Sequence, residues 1–124
     1  MNQTRVLIVD DDPTMLRLME SYMQQLGCRA VFAANGREAV AKVGQFSFDI
    51  CFMDIMMPVM GGVEASSIIR EEYTKVLPIV AVTSVSMKAS REKCEDVGMV
   101  DFITKPVELA VVKQAIERYA LRSP

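Results

Sequence analysis

The sequence predicts a single α/β domain: a doubly wound parallel sheet of five strands with helices on both faces. Three observations lead there. Short apolar runs alternate five times with amphipathic segments along the 124 residues. The first run, residues 6–9, is uniformly apolar, as in a strand covered on both sides, and does not show the in–out alternation of a half-exposed sheet. No linker, repeat or low-complexity stretch interrupts them, and the length suits one domain, residues 1–124, with its own core.

Residues 6–9 form the first apolar run. Asp12 then reads as a helix cap with Pro13 at the first helical position, where its missing N–H has no cost. Met15, Leu18, Met19, Tyr22 and Leu26 follow at helical spacing, and Gly27 suits the stop. Residues 29–33 make the second strand. Asn35 opens a helix that ends at Gly44, with Glu38 three residues on as in a capping box. The third run, 50–53, ends in Asp54. Pro58 and the pair Gly61-Gly62 punctuate a loop before a helix over 63–72. A fourth strand over 77–82 leads to Thr83-Ser84. A weakly amphipathic helix over 87–97 holds on by Met87, Cys94 and Val97. The fifth strand is 100–103, and Leu109, Val112, Ile116 and Tyr119 mark the last helix.

Composition excludes several functions. A net charge of −2 and a pI near 5.2 leave no basic stripe for nucleic-acid phosphates. No apolar run reaches the ~20 residues of a membrane span, and the N-terminus lacks a signal-peptide layout. The chain has no histidine. That rules out His-ligated zinc, Ser-His and Cys-His nucleophile pairs, and a phosphohistidine carried by this chain. Cys28, Cys51 and Cys94 are odd in number and widely spaced, and read as buried small hydrophobes in a reducing cytoplasm. The ten methionines read as core filler rather than as a binding surface. Asp49 and Asp101 read as solvent-side or loop charges.

The stretch "VLIVDDDPTM" runs an apolar strand into three aspartates. Two carboxylates ~4 Å apart oppose each other by roughly 4 kcal/mol at an effective dielectric near 20, so these either lie solvated on a loop or face a cation. In a parallel α/β sheet, ligands bind beyond the carboxyl ends of the strands. Those ends hold Asp10-Asp11, Asp54, Thr83-Ser84 and Lys105-Pro106. Three carboxylates, a hydroxyl and an ammonium converging there suit magnesium beside a phosphoryl group, with manganese as an alternate. Each residue also has a plainer reading: Asp12 as a cap, Thr83 as a turn residue, Lys105 as a surface charge, Phe102 as core and Cys51 as packing.

The motifs "VLIVDDD", "DICFMDIMMPVMGG", "IVAVTS" and "GMVDFITKP" stand in the order and spacing of the response-regulator receiver domain, which the chain resembles over essentially its full length. The resemblance implies a flavodoxin-like sheet of order 2-1-3-4-5. It implies Asp54 as phospho-acceptor and Asp10, Asp11, Asp54 and the Met56 backbone carbonyl as Mg²⁺ ligands. Thr83 and Lys105 would bind the phosphoryl oxygens, Phe102 would be the switch aromatic, and Lys105-Pro106 would be cis. The partner would be a histidine kinase or a histidine phosphotransfer protein, and the state a monomer or a phosphorylation-dependent dimer, acting in the cytoplasm without contacting nucleic acid or membrane. The positions that tune acyl-phosphate lifetime hold Met56 and Val85, both apolar, which implies slow autodephosphorylation. The chain is then a stand-alone receiver or a segment of a larger response regulator or hybrid kinase, and a phospho-acceptor rather than an enzyme. A small-substrate phosphatase lacks a cap insertion here. A flavodoxin-like cofactor binder would need glycines in place of "DDDPTM". A degenerate receiver would not combine Asp54, Thr83 and Lys105.

Overall fold

The computed structural model describes residues 4–73, 77–84 and 88–120. The elements run β1 (Arg5–Val9), α1 (Pro13–Leu26), β2 (Arg29–Ala33), α2 (Gly36–Gln45), β3 (Ile50–Asp54), α3 (Gly62–Glu72), β4 (Ile79–Thr83), α4 (Lys88–Asp96), β5 (Asp101–Thr104) and α5 (Leu109–Tyr119). All strand pairings are parallel, and the sheet order is β2-β1-β3-β4-β5. The expected alternation and order are both present.

Why the central runs are uniformly apolar is visible in the packing. Successive strand side chains point to opposite faces, and here each face has its own core. Val6, Ile8, Ile50, Phe52, Val80 and Val82 pack with α1 and α5 through Met15, Met19, Met23, Val112 and Ile116. Leu7, Val9, Cys51, Met53, Ile79 and Ala81 pack with α2, α3 and α4 through Ala39, Ala65, Ile69 and Cys94. β3 is buried along its whole length.

Helix ends follow their local signals. Asp12 accepts from the Thr14 N–H at 3.0 Å, Pro13 takes the first position, and Gly27 closes α1 in the left-handed region at φ 71°. Asn35 accepts from the Glu38 N–H at 2.9 Å, while the Glu38 carboxylate reaches back to the Ala34 N–H at 3.0 Å, one residue before the cap.

Several expectations need correction. Leu18 is exposed, and Met23 takes the inward place on α1, because the buried stripe runs through 15, 19 and 23. β4 begins at Ile79, after Pro78, which has no N–H for the ladder. β5 is shifted one residue, to Asp101–Thr104. α2 continues one residue past Gly44, and α3 begins one earlier, at Gly62. Cys51 and Cys94 are buried as expected, but Cys28 is only partly so. Of the methionines, Met15, Met19, Met23, Met53 and Met99 are core and Met57 and Met60 pack against it, whereas Met56 is 77 % exposed. Met87 lies outside the described residues. Among those residues, no helix is long and apolar enough to cross a membrane.

Asp49 and Asp101 are not idle charges. Asp49 accepts the Arg5 N–H at 2.9 Å, tying the start of β1 to the residue before β3. Asp101 accepts the Phe102 N–H at 2.7 Å and the Tyr119 hydroxyl at 2.8 Å, so it fastens the edge strand to the end of α5. The hydrogen bond to Asp101, followed by burial, raises the Tyr119 phenol above its ordinary range.

Candidate functional site

The carboxyl ends of β1, β3 and β5 deliver one cluster. Asp10 follows β1 directly, and its N–H donates to the Ala33 carbonyl at 3.1 Å, which fixes its backbone against β2. Its Oδ1 accepts the Asp12 N–H at 2.9 Å, so the turn that caps α1 also orients the carboxylate. Asp11 is exposed. Asp54 is the last residue of β3; it is 5 % exposed, and its Oδ1 accepts the Met56 N–H at 3.3 Å. The next turn is held by Ile55 N–H to the Val82 carbonyl and Gly62 N–H to the Ile55 carbonyl. Gly62 is required there: a Cβ would strike the Asp54 carbonyl oxygen and come within 2.9 Å of Met53 Cγ.

Lys105 reaches this cluster from the far side. Its N–H donates to the Thr83 carbonyl at 2.8 Å, extending the β4–β5 ladder, and the bond to Pro106 is cis as expected. The Nζ lies 3.0 Å from Asp10 Oδ2 and 3.8 Å from Asp54 Oδ2. Carboxylate oxygens of Asp10, Asp11 and Asp54 all lie within 4.8 Å of one another.

The electrostatics follow from burial and crowding. Burial pushes the Asp54 carboxyl up to about 6; the Asp10 charge adds to this, and Lys105 and the Met56 N–H hold it back. For Lys105, burial pulls the ammonium down, but its hydrogen bond to Asp10 and the carboxylates of Asp10, Asp54 and Asp12 leave it above its ordinary value. Among the described residues, one ammonium faces three carboxylates. The donor set is all oxygen and carries excess negative charge, which fits a hard divalent cation such as Mg²⁺ or Mn²⁺. Asp12 serves as the cap of α1.

Thr83 ends β4 in register with Thr104. Phe102 sits one strand over, half-buried, with the Arg91 guanidinium 4.6 Å from its ring centroid. That contact was not legible in the sequence, because α4 carries Arg91 among other charges with nothing to mark its partner. Met56 and Val59 are both exposed, Val59 to 74 %, and Val59 adopts φ 69°, a backbone region that β-branched residues seldom enter. Val85 lies outside the described residues.

Comparison with known proteins agrees with this geometry. The family model described as response regulator receiver domain matches residues 6–117. The chain is 38% identical over 122 residues to hybrid signal transduction histidine kinase L of Dictyostelium discoideum, covering 93% of this chain and 7% of that protein. It therefore spans only a small part of the curated relatives it matches. The receiver domain of sensor histidine kinase PA1611 from Pseudomonas aeruginosa PAO1, solved with magnesium coordinated in its active-site cleft, superposes with a TM-score of 0.86 at 31% identity, over 94% of this chain and 96% of that one. The receiver domain of Ssk1 from Saccharomyces cerevisiae, solved with the histidine phosphotransfer protein Ypd1, gives 0.86 at 27% identity, over 95% and 89%. With acid pair, buried strand-end aspartate and cis-proline lysine all in place, the chain belongs to the response regulator receiver domain family.

Proposed function

We propose that residues 1–124 form one receiver domain that takes a phosphoryl group from a partner phosphohistidine onto Asp54 and passes the change to the surface formed by α4, β5 and α5. The observation that carries this is the position of Asp54: buried at a strand end, flanked by Asp10, and within 3.8 Å of the Lys105 ammonium. The donor is a histidine kinase or a histidine phosphotransfer protein, since this chain has no histidine of its own and similar receivers belong to such kinases or bind such a protein.

Asp10, Asp11, Asp54 and the Met56 carbonyl would hold Mg²⁺, or Mn²⁺ in its place. When bound, the ion supplies positive charge to the phosphoryl oxygens and offsets the repulsion among the carboxylates. An Asp54 carboxylate oxygen attacks phosphorus. The P–O bond forms as the P–N bond to the donor imidazole breaks, and the electron pair leaves on the imidazole nitrogen. Lys105 exchanges its contact with Asp54 for one with a phosphoryl oxygen, and Thr83 donates its hydroxyl to another. Drawing Thr83 inward opens the space into which Phe102 turns. A complete reversal of a 1:99 equilibrium needs about 5.5 kcal/mol of differential stabilisation.

The domain is a one-for-one acceptor, with turnover limited to loss of its own acyl phosphate. Its unpaired cysteines and acidic balance suit a cytoplasmic protein without nucleic-acid or membrane contacts, monomeric or dimerising on phosphorylation. Incubation with acetyl phosphate and Mg²⁺ should add one phosphoryl mass, and Asp54→Ala should abolish it while the fold persists. Label that survives and maps to Asp10, Asp11 or Ser84 would refute the assignment.

A further inference from the structure

Lys105 must place one nitrogen between two carboxylates from the end of a loop that contains a proline. On its N-terminal side the backbone is anchored by its own N–H on the Thr83 carbonyl, at 2.8 Å. On its C-terminal side Pro106 is exposed and has no N–H to contribute. The next fixed point is Val107, which is buried in the core between α1 and α5. Its carbonyl accepts a hydrogen bond of 2.8 Å from the hydroxyl of Tyr22, 85 residues away in sequence.

Packing alone does not call for that hydroxyl. Tyr22 lies against the apolar core from the inward side of α1, where a phenylalanine or leucine would bury comparable surface. The hydroxyl adds a directional bond, and its target is two residues from Lys105. The same helix is capped by Asp12, whose N–H donates to Asp10 Oδ1 at 2.9 Å. From Asp12 to Tyr22 is ten residues, or about 15 Å of helix at 1.5 Å per residue. One rigid rod thus holds the acid loop at its start and the lysine loop further along.

We infer that Tyr22 is a positioning residue for Lys105, its hydroxyl fixing through Val107 the backbone from which the ammonium reaches Asp10 and Asp54. The inference rests on the role proposed for Lys105 at the phosphoryl site. The Nζ is already nearer Asp10 than Asp54, at 3.0 Å against 3.8 Å. Releasing the loop lets it settle further onto Asp10 and away from the atom where phosphoryl transfer occurs.

The test compares wild type, Tyr22→Phe, Lys105→Ala and the double variant, each labelled with acetyl phosphate and Mg²⁺. Tyr73→Phe serves as control, since it removes a tyrosine–carbonyl hydrogen bond to Val40 remote from Lys105. Tyr22→Phe should slow labelling about threefold to tenfold, the span of a hydrogen bond's net worth. It should cause no further slowing once Lys105 is alanine, and it should shift the Lys105 side-chain ammonium resonance, which Tyr73→Phe leaves in place. A purely structural role would slow both backgrounds equally, and that result overturns the inference. So does an unmoved Lys105 resonance in Tyr22→Phe, whatever the kinetics. If the resonance moves but Lys105→Ala labels at the wild-type rate, the positioning stands and the role proposed for Lys105 falls.

Discussion

The Lys105 ammonium sits closer to Asp10 than to Asp54, 3.0 Å against 3.8 Å, so in the resting site its positive charge goes mainly to Asp10 rather than to Asp54, the proposed acceptor. Asp54 is left under-neutralised. Lys105→Ala should therefore cost the metal-free protein about 1–3 kcal/mol, because it strands a buried carboxylate. The same variant should gain more in melting temperature from Mg²⁺ than wild type does, since the cation no longer competes with an ammonium. Equal Mg²⁺-dependent shifts in the two proteins would show that lysine and metal do not share these oxygens.

The Asp54 carboxyl gives a pH dependence with a definite sign. Its folded pKa is about 6, above the ordinary 3.8, so between those values the folded state binds more protons than the unfolded one. Stability is then greatest below pH 4 in this respect and declines as pH rises through 6. Urea unfolding in EDTA should show that decline in wild type and not in Asp54→Asn. Mg²⁺ affinity should rise with pH up to about 6 and then level off, since metal binds the ionised carboxylate.

Arg91 over the Phe102 ring joins α4 to β5 across the expected output surface. An exposed cation–π contact is worth about 0.5–1 kcal/mol. Arg91→Ala should raise amide exchange over residues 101–104 of the resting protein toward the level reached by wild type with Mg²⁺ and beryllofluoride. Identical exchange in both resting proteins would leave Phe102 a packing residue.

The Met56 side chain stands 77 % exposed, two residues from Asp54, the proposed acceptor, and cannot orient a water for in-line attack. Met56→Asn should shorten the lifetime of the Asp54 acyl phosphate by several-fold, read as loss of label after the donor is removed. An unchanged or longer lifetime would mean that this position does not govern hydrolysis.

Ser66 on α3 is fully buried, and its hydroxyl lacks a hydrogen-bond partner among the described residues. An unsatisfied buried hydroxyl costs about 1–3 kcal/mol. Ser66→Ala should stabilise the domain by about 1 kcal/mol, or about 4 °C in melting temperature. Destabilisation would indicate a partner for this hydroxyl or a packing loss that outweighs the relief.

The sequence alone determined the alternation of strand and helix, the caps at Asp12, Asn35 and Gly27, and the placement of Asp10, Asp11, Asp54 and Lys105 at strand ends. These are local matters: periodicity, turn chemistry and the rule that parallel strands present their carboxyl ends together. Leu18 and Met23 could not be sorted so, because both fit the helical stripe and only the seating of α1 on the sheet decides which is covered. Tertiary structure also chose the partners. Asp101 with Tyr119, Arg91 with Phe102, and Tyr22 with Val107 join residues that no spacing rule connects, and each depends on a few ångströms of helix placement. Why Asp54 is hard to ionise is likewise a tertiary fact, since the burial and the neighbouring charge responsible for it come from other strands.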